Sequence, residues 1–184
     1  SIVKHVHYFY RNWNPFNKLK VVLATYFQTR KFMNNVIGRC DEIGLNFYRS
    51  TPFGIKEAYT YTDMGWKVTP QHIYGALKVL HRYKKPIFVA EAGLADKDDT
   101  IRGDYITTQI EAIAQALEEG VDVRGHMYWS LMDNYEWALG TEKQFGLVHI
   151  DYKTLKRTIR SSAWIYADLI KKYTVETSDT KKRK

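Results

Sequence analysis

The chain has a single cysteine, Cys40, in 184 residues, so no internal disulfide can form. It has no apolar run near the ~20 residues that a bilayer-spanning helix needs. Together these absences predict a soluble protein of a reducing compartment, the cytoplasm, with no membrane partner. No signal peptide is legible, although the chain starts at Ser1 without a methionine. There is neither a G-x-S-x-G elbow nor a phosphate-cradling glycine loop, which argues against a serine hydrolase and a P-loop enzyme. His5, His7, His126 and His149 lack metal-ligand spacing and stand in no HExxH or paired-cysteine context, so no metal and no cofactor are expected.

The net charge of +8 invites an acidic partner. Much of it, however, sits in Lys171-Lys172 and in the tail Lys181-Lys-Arg-Lys184, which reads as a solvated end rather than a nucleic-acid surface. What is present in quantity is apolar and aromatic: 45% of residues are hydrophobic and 15% aromatic, enough to form a core. Short apolar runs alternate with longer amphipathic stretches, the pattern of an α/β protein with a parallel sheet.

Four strand-helix units are predicted. Strands are expected over Ser1–Phe9, Glu42–Tyr48, Pro86–Ala90 and Val123–Leu131. The helices between and after them run through Asn17–Ile37, from Thr69-Pro70, a capping residue and a proline suited to the first helical turn, to Tyr83, and along the Ile106, Ile110, Ile113, Leu117 stripe to Gly120. A closing helix is expected after Ser161-Ser162. Residues 1–176 form one unit, and 177–184 a polar, basic and disordered tail. Four such units fit an open sheet or half of an eight-fold barrel, and periodicity alone does not choose between them.

In either architecture the C-terminal strand ends carry chemistry, and Asn46, Tyr48, Glu91, Trp129 and Glu136 all fall at or just beyond such ends. Glu91 closes the apolar strand Pro86-Ile-Phe-Val-Ala, where burial and neighbouring donors tune a carboxylate. Tyr48 and Asn46, on one face of an alternating strand, supply a phenol and an amide able to hold that carboxylate. Glu136 and Trp137, with Trp129 upstream, combine a hydroxyl acceptor with flat apolar faces, as a sugar-binding pocket requires.

With these residues in view, the chain closely resembles the C-terminal half of glycoside hydrolase family 1, the β-glucosidase family built on an eight-stranded β/α barrel. The resemblance rests on Asp41-Glu-Ile-Gly-Leu-Asn-Phe-Tyr-Arg-Ser50, Met64-Gly-Trp-Lys-Val-Thr-Pro70 and Pro86 to Gly93. It continues through Tyr128-Trp-Ser-Leu-Met-Asp-Asn-Tyr-Glu-Trp137 and Gln144-Phe-Gly-Leu-Val-His-Ile-Asp-Tyr152. It implies half of a TIM barrel, strands five to eight, in a retaining β-glycosidase. Glu91 would be the nucleophile, with Tyr48 hydrogen-bonded to it and Asn46 helping to bind the sugar. Glu136 and Trp137 would hold glycone hydroxyls, and Trp129 would form a stacking floor.

Two departures stand out. Ala90 and Ala92 flank Glu91 where the family usually has threonine and asparagine, which weakens turnover or changes the substrate. The family's acid/base glutamate lies in an Asn-Glu-Pro motif, and no Asn-Glu-Pro occurs here. A β-glycoside substrate and a complementary N-terminal half-barrel chain are therefore the expected partners, the chain alone being inactive. The rival expectation is a non-catalytic half-barrel that self-associates, as a homodimer, into a scaffold or sugar-binding module.

Overall fold

The computed structural model describes residues 1–56 and 58–174. The tail predicted over 177–184 lies outside the described residues. Strand β1 (Ile2–His5) is followed by β2 (Tyr8–Arg11) and by a helical stretch made of α1 (Pro15–Thr25), a π-helical turn (Tyr26–Arg30) and α2 (Lys31–Val36). Then come β3 (Ile43–Phe47), β4 (Ser50–Phe53), α3 (Ile73–His81), β5 (Ile87–Ala92), α4 (Arg102–Glu118) and β6 (Val123–Tyr128). A hairpin of β7 (Val148–Ile150) and β8 (Arg157–Ile159) precedes α5 (Ser161–Tyr173).

The main sheet has the order β1-β3-β5-β6, with all three neighbouring pairs parallel. Parallel strands covered on both faces become nearly continuous apolar runs. In β3 this holds: Ile43, Leu45 and Phe47 are fully buried, and Asn46 is the polar interruption. A Cβ at Gly44 would lie 2.8 Å from Val3 Cγ2, so the glycine lets β1 approach. In α3 the buried Ile73, Ala76, Leu77 and Leu80 recur at helical spacing and pack onto β3 and β5. Helix α4 ends at Gly120, whose φ of 84° is the left-handed conformation that a helix stop favours.

Several predicted elements differ in detail. The first strand breaks at Val6-His7, because β2 leaves the main sheet and pairs in parallel with β4. β4 itself occupies a stretch expected to be loop; its proline and short length hid it from a pattern search. The predicted helix over Asn17–Ile37 is interrupted by the π turn. Thr69 does not cap the helix after it; its Oγ1 instead accepts a 2.9 Å bond from Ser50 Oγ, and Pro70–His72 form a 3-10 turn ahead of α3. The last sheet strand stops at Tyr128, leaving Trp129 to Leu131 in the loop beyond.

Two fastenings hold the loops above the sheet. Asp96 Oδ2 accepts the Ile101 and Arg102 backbone N–H groups at 2.9 and 3.0 Å, capping α4 from a loop residue. Arg102, fully buried, donates to Tyr128 Oη at 3.0 Å, to the Gln144 carbonyl at 3.1 Å, to the Asp96 carbonyl and to Asp99. Asp99 in turn accepts from Ser162 N at 3.0 Å and Ser162 Oγ at 2.6 Å, tethering the start of α5. On the far side of the sheet, His126 of β6 bridges Gln109 of α4 and Tyr166 of α5 at 3.1 and 3.0 Å. A groove of about 500 Å³ between α4, α5 and β6 runs past it, and no candidate site residue lines that groove.

Replacing Arg102 with Met leaves Asp99 and the inner carbonyls without their cation, and unfolding in urea is expected to show a loss of ~3–5 kcal/mol. Burial pushes the His126 imidazole down from 6.5 to about 4, so between those pH values the unfolded chain binds the extra proton. Stability is therefore expected to fall as pH drops through that window, by up to ~3 kcal/mol from this residue. In His126→Gln, the plot of unfolding free energy against pH is expected to be flatter there.

Candidate active site

The in-order parallel sheet brings the C-terminal tips of β1, β3, β5 and β6 to one side, and five of the six candidate residues gather there from β3, β5 and the loop after β6. Along the β3–β5 pair, Leu45 lies opposite Val89 and Asn46 opposite Glu91, so Ala90 is an extra residue in β5. A second irregularity falls on the other side of the same strand, between Val89 and Ala92 against β6. Such bulges bend a strand and re-aim its side chains, and these two bracket Glu91.

Tyr48, just past β3, donates its Oη proton to Glu91 Oε2 at 2.7 Å. Burial, with the Glu91 hydrogen bond and charge behind it, pushes the phenol far above its usual range, so it stays a donor. Its ring is fixed on three sides. His5 of β1 stacks on it with centroids 5.8 Å apart and planes 13° apart, while Trp66 and Phe145 meet it edge-on at 5.9 and 6.4 Å. Beside the pair, Asn46 Oδ1 is buried with no hydrogen-bond partner. An unmet acceptor of that kind costs free energy that a ligand hydroxyl can offset.

The loop after β6 forms the other wall. Trp129 N donates to Ala92 O at 3.0 Å, and the Trp129–Ser130 peptide is cis. A Cβ at Gly93 would stand 1.9 Å from Trp129 O, so only glycine permits this approach of the β5 and β6 ends. Further on, Asp133 anchors the loop from beneath. It accepts from Arg160 Nη1 and Nη2 at 2.9 and 3.2 Å, from Gly146 N at 2.9 Å and Ile150 N at 3.2 Å, and it pairs with His149 Nδ1 at 3.0 Å. Burial opposes its charge, but the Arg160 and His149 bonds outweigh that and keep the carboxyl below the usual carboxylate range.

On this anchor, Glu136 N donates to Gly140 O at 2.7 Å and Trp137 takes a φ of 44°, closing a tight turn that lifts both side chains. Burial and the Glu91 charge push the Glu136 carboxyl up, so the two acids share one field. Trp129 is 37% exposed and Trp137 85%, leaving both indoles accessible to solvent. The structure thus bonds Tyr48 to Glu91, sets Asn46 in register with it, couples Glu136 to it electrostatically and ties Trp129 to its strand. Trp137 stands outermost.

Sequence reasoning gave no role to three supports: His5, Asp133 with Arg160, and Trp66. Asp133 and Trp66 sit inside the quoted motifs, and an acid between Met132 and Asn134 in an aromatic loop was a usable signal; nothing local marked His5 or Arg160. Among the described residues, no group of three or more His, Cys, Asp or Glu side chains is placed to hold a metal ion. Chemically, the arrangement holds one carboxylate by a buried phenol beside a surface of acceptors and flat rings, suited to a polyhydroxylated ring.

Residues 17–175 match the Glycosyl hydrolase family 1 profile. A β-galactosidase of Sulfolobus acidocaldarius is 37% identical over 71% of the chain and 31% of its own length. A β-glucosidase A of Acetivibrio thermocellus is 39% identical over 64% of the chain and 29% of its own. A chloroplastic galactolipid galactosyltransferase of Arabidopsis thaliana is 32% identical over 97% of the chain and 30% of its own. The chain therefore spans about a third of the length of these relatives. Among solved structures, a β-glucosidase from Thermotoga maritima bound to glucoimidazole superposes with a TM-score of 0.81 at 26% identity, covering 92% of this chain and 50% of that one. A β-glucosidase mutant derived from a hyperthermophilic tetramer reaches 0.86 at 28% identity over 96% and 42%. With this fold and these matches, the chain belongs to Glycosyl hydrolase family 1.

Proposed function

We propose that this chain is the C-terminal half-barrel of a retaining β-glycosidase, and that Glu91 is its nucleophile. The observation that carries the reading is the 2.7 Å bond from Tyr48 to a strand-end carboxylate that shares a field with Glu136. Glu91 attacks the anomeric carbon, the bond to the leaving oxygen breaks, and a glycosyl ester forms on the carboxyl. Tyr48 holds the attacking group in line and bonds the oxygen that is freed when the ester hydrolyses. Asn46 Oδ1 and Glu136 accept glycone hydroxyl protons, Trp129 lies under the ring's C–H face and Trp137 donates its indole N–H. The glycone is an equatorially hydroxylated hexose such as glucose.

The leaving oxygen needs a proton from a second carboxyl ~5 Å from the first, and the same group then deprotonates the attacking water. That group comes from a complementary N-terminal half of the barrel, which also covers the outer edges of β1 and β6. Each of these strands pairs on one side only among the described residues. Unpaired parallel edges of this kind accept another strand, and the comparison structures are about twice this chain's length.

The test is hydrolysis of an aryl β-glucoside by the chain alone, by the chain with the N-terminal half, and by that pair carrying Glu91→Gln. Only the wild-type pair is expected to turn over, with Glu91→Gln lower by at least ~10³-fold and Tyr48→Phe by roughly 10²-fold. Equal rates for the wild-type and Gln pairs remove Glu91 from the role. A chain that forms a stable homodimer and ignores the added half points instead to a scaffold.

A separate check needs no turnover. The Glu136 carboxyl, raised by burial and by the Glu91 charge, is expected to titrate at lower pH in Glu91→Gln, as followed by carbon NMR of the side-chain carboxyl.

A further inference from the structure

Arg49 follows Tyr48 directly, is exposed, and lays its guanidinium over the Trp66 ring at 5.2 Å from the centroid. The same indole meets the Tyr48 ring edge-on at 5.9 Å and packs at 6.4 Å on Phe145. One aromatic platform therefore touches both the residue that holds Glu91 and a fixed positive charge. The two buried arginines among the described residues end on carboxylates, Arg102 on Asp99 and Arg160 on Asp133. Arg49 makes no ion pair among the described residues. Its charge nonetheless reaches the site's β1 side, where it helps to hold His5 and His7 neutral, second to their burial.

Direction matters as much as charge. In the sheet order β1-β3-β5-β6, Glu91 on β5 stands between the loop after β6, which presents Glu136 and Trp129, and the end of β3, which presents Tyr48 and Arg49. If the sugar ring occupies the first wall, the departing group leaves over the second. A planar guanidinium resting on an indole is built to receive a planar carboxylate on its free edge while an aromatic ring stacks alongside.

We propose that Arg49 and Trp66 form a leaving-group subsite selective for aromatic aglycones that carry a carboxylate. The proposal rests on the glycosidase reading and names the substrate class of that site. An exposed pair of this kind supports a preference of about fivefold over a neutral group of the same shape, and one that weakens with added salt.

The experiment compares 4-carboxyphenyl and 4-carbamoylphenyl β-thioglucosides, isosteric and slow to cleave, by titration calorimetry on the chain paired with the N-terminal half and, by saturation-transfer NMR, on the chain alone. Wild type is expected to bind the carboxylate about fivefold tighter, Arg49→Ala to bind the two equally, and Arg49→Lys to recover only part of the ratio. Glu91→Gln is expected to keep the preference or increase it, since a negative charge is removed. An unchanged ratio in Arg49→Ala, or no preference in wild type, overturns the subsite. Hydrolysis of the oxygen-linked analogues is read separately: no turnover of either one by the wild-type pair counts against Glu91 as nucleophile, while the binding ratio still decides Arg49.

Discussion

A guanidinium withdrawn completely from water must find acceptors around its whole edge, and Arg102 is the point at which this chain meets that demand. Its partners come from four places: the Asp96 carbonyl after β5, Asp99 ahead of α4, Tyr128 at the tip of β6, and the Gln144 carbonyl in the loop leading to β7. Through Asp99 the same knot reaches the first turn of α5. The loops that carry chemistry are thereby fastened to one another as well as to the strands beneath. Asp133 repeats the device with the charges exchanged, a buried anion ringed by Arg160, His149 and two backbone N–H groups. A buried charge met on all sides fixes geometry even where its net contribution to stability is small.

Between those two knots the site itself is light. Glu91 is aimed by an extra residue in its strand, held by one phenol, and faced across the opening by an acid and two indoles. The phenol is itself clamped by His5, Trp66 and Phe145, each from a different segment of the chain. In the proposed reaction this support lets a single hydrogen bond position the attacking oxygen, because the donor ring has little freedom to turn. The alanines beside Glu91 fit the same picture: with no threonine or asparagine side chain next to the carboxylate, orientation falls to the strand distortion and to Tyr48.

Much of this was legible in the residues. The apolar runs within Glu42–Tyr48 and Pro86–Ala90, the stripe of Ile106, Ile113 and Leu117, and the stop at Gly120 all mark elements by periodicity and termination, which are local properties. The candidate site was legible for a related reason, since chemistry collects at strand tips and those tips are where apolar patterning ends. What the sequence hid was pairing over distance. β4 contains a proline and only four residues, and nothing in it announces a parallel partner forty positions earlier in β2. The roles of His5 and Arg160 were hidden for the same reason: each acts on a residue far away along the chain, and no spacing rule connects them. Thr69 looked like a helix cap and is instead a partner of Ser50, a case of tertiary contact overriding a local preference.

Gly93 shows what such close fitting means over evolutionary time. With Trp129 O where its first side-chain carbon would stand, the position admits a hydrogen atom and nothing larger. Drift toward alanine or serine, ordinarily the mildest of changes, is closed to this lineage unless the neighbouring peptide moves first. The pocket can therefore diversify at its rim, where Arg49 and Trp137 are exposed, while the gap between its two walls stays inherited. New specificities in descendants of this chain should be sought among those outer positions, with the inner spacing as the constant against which they vary.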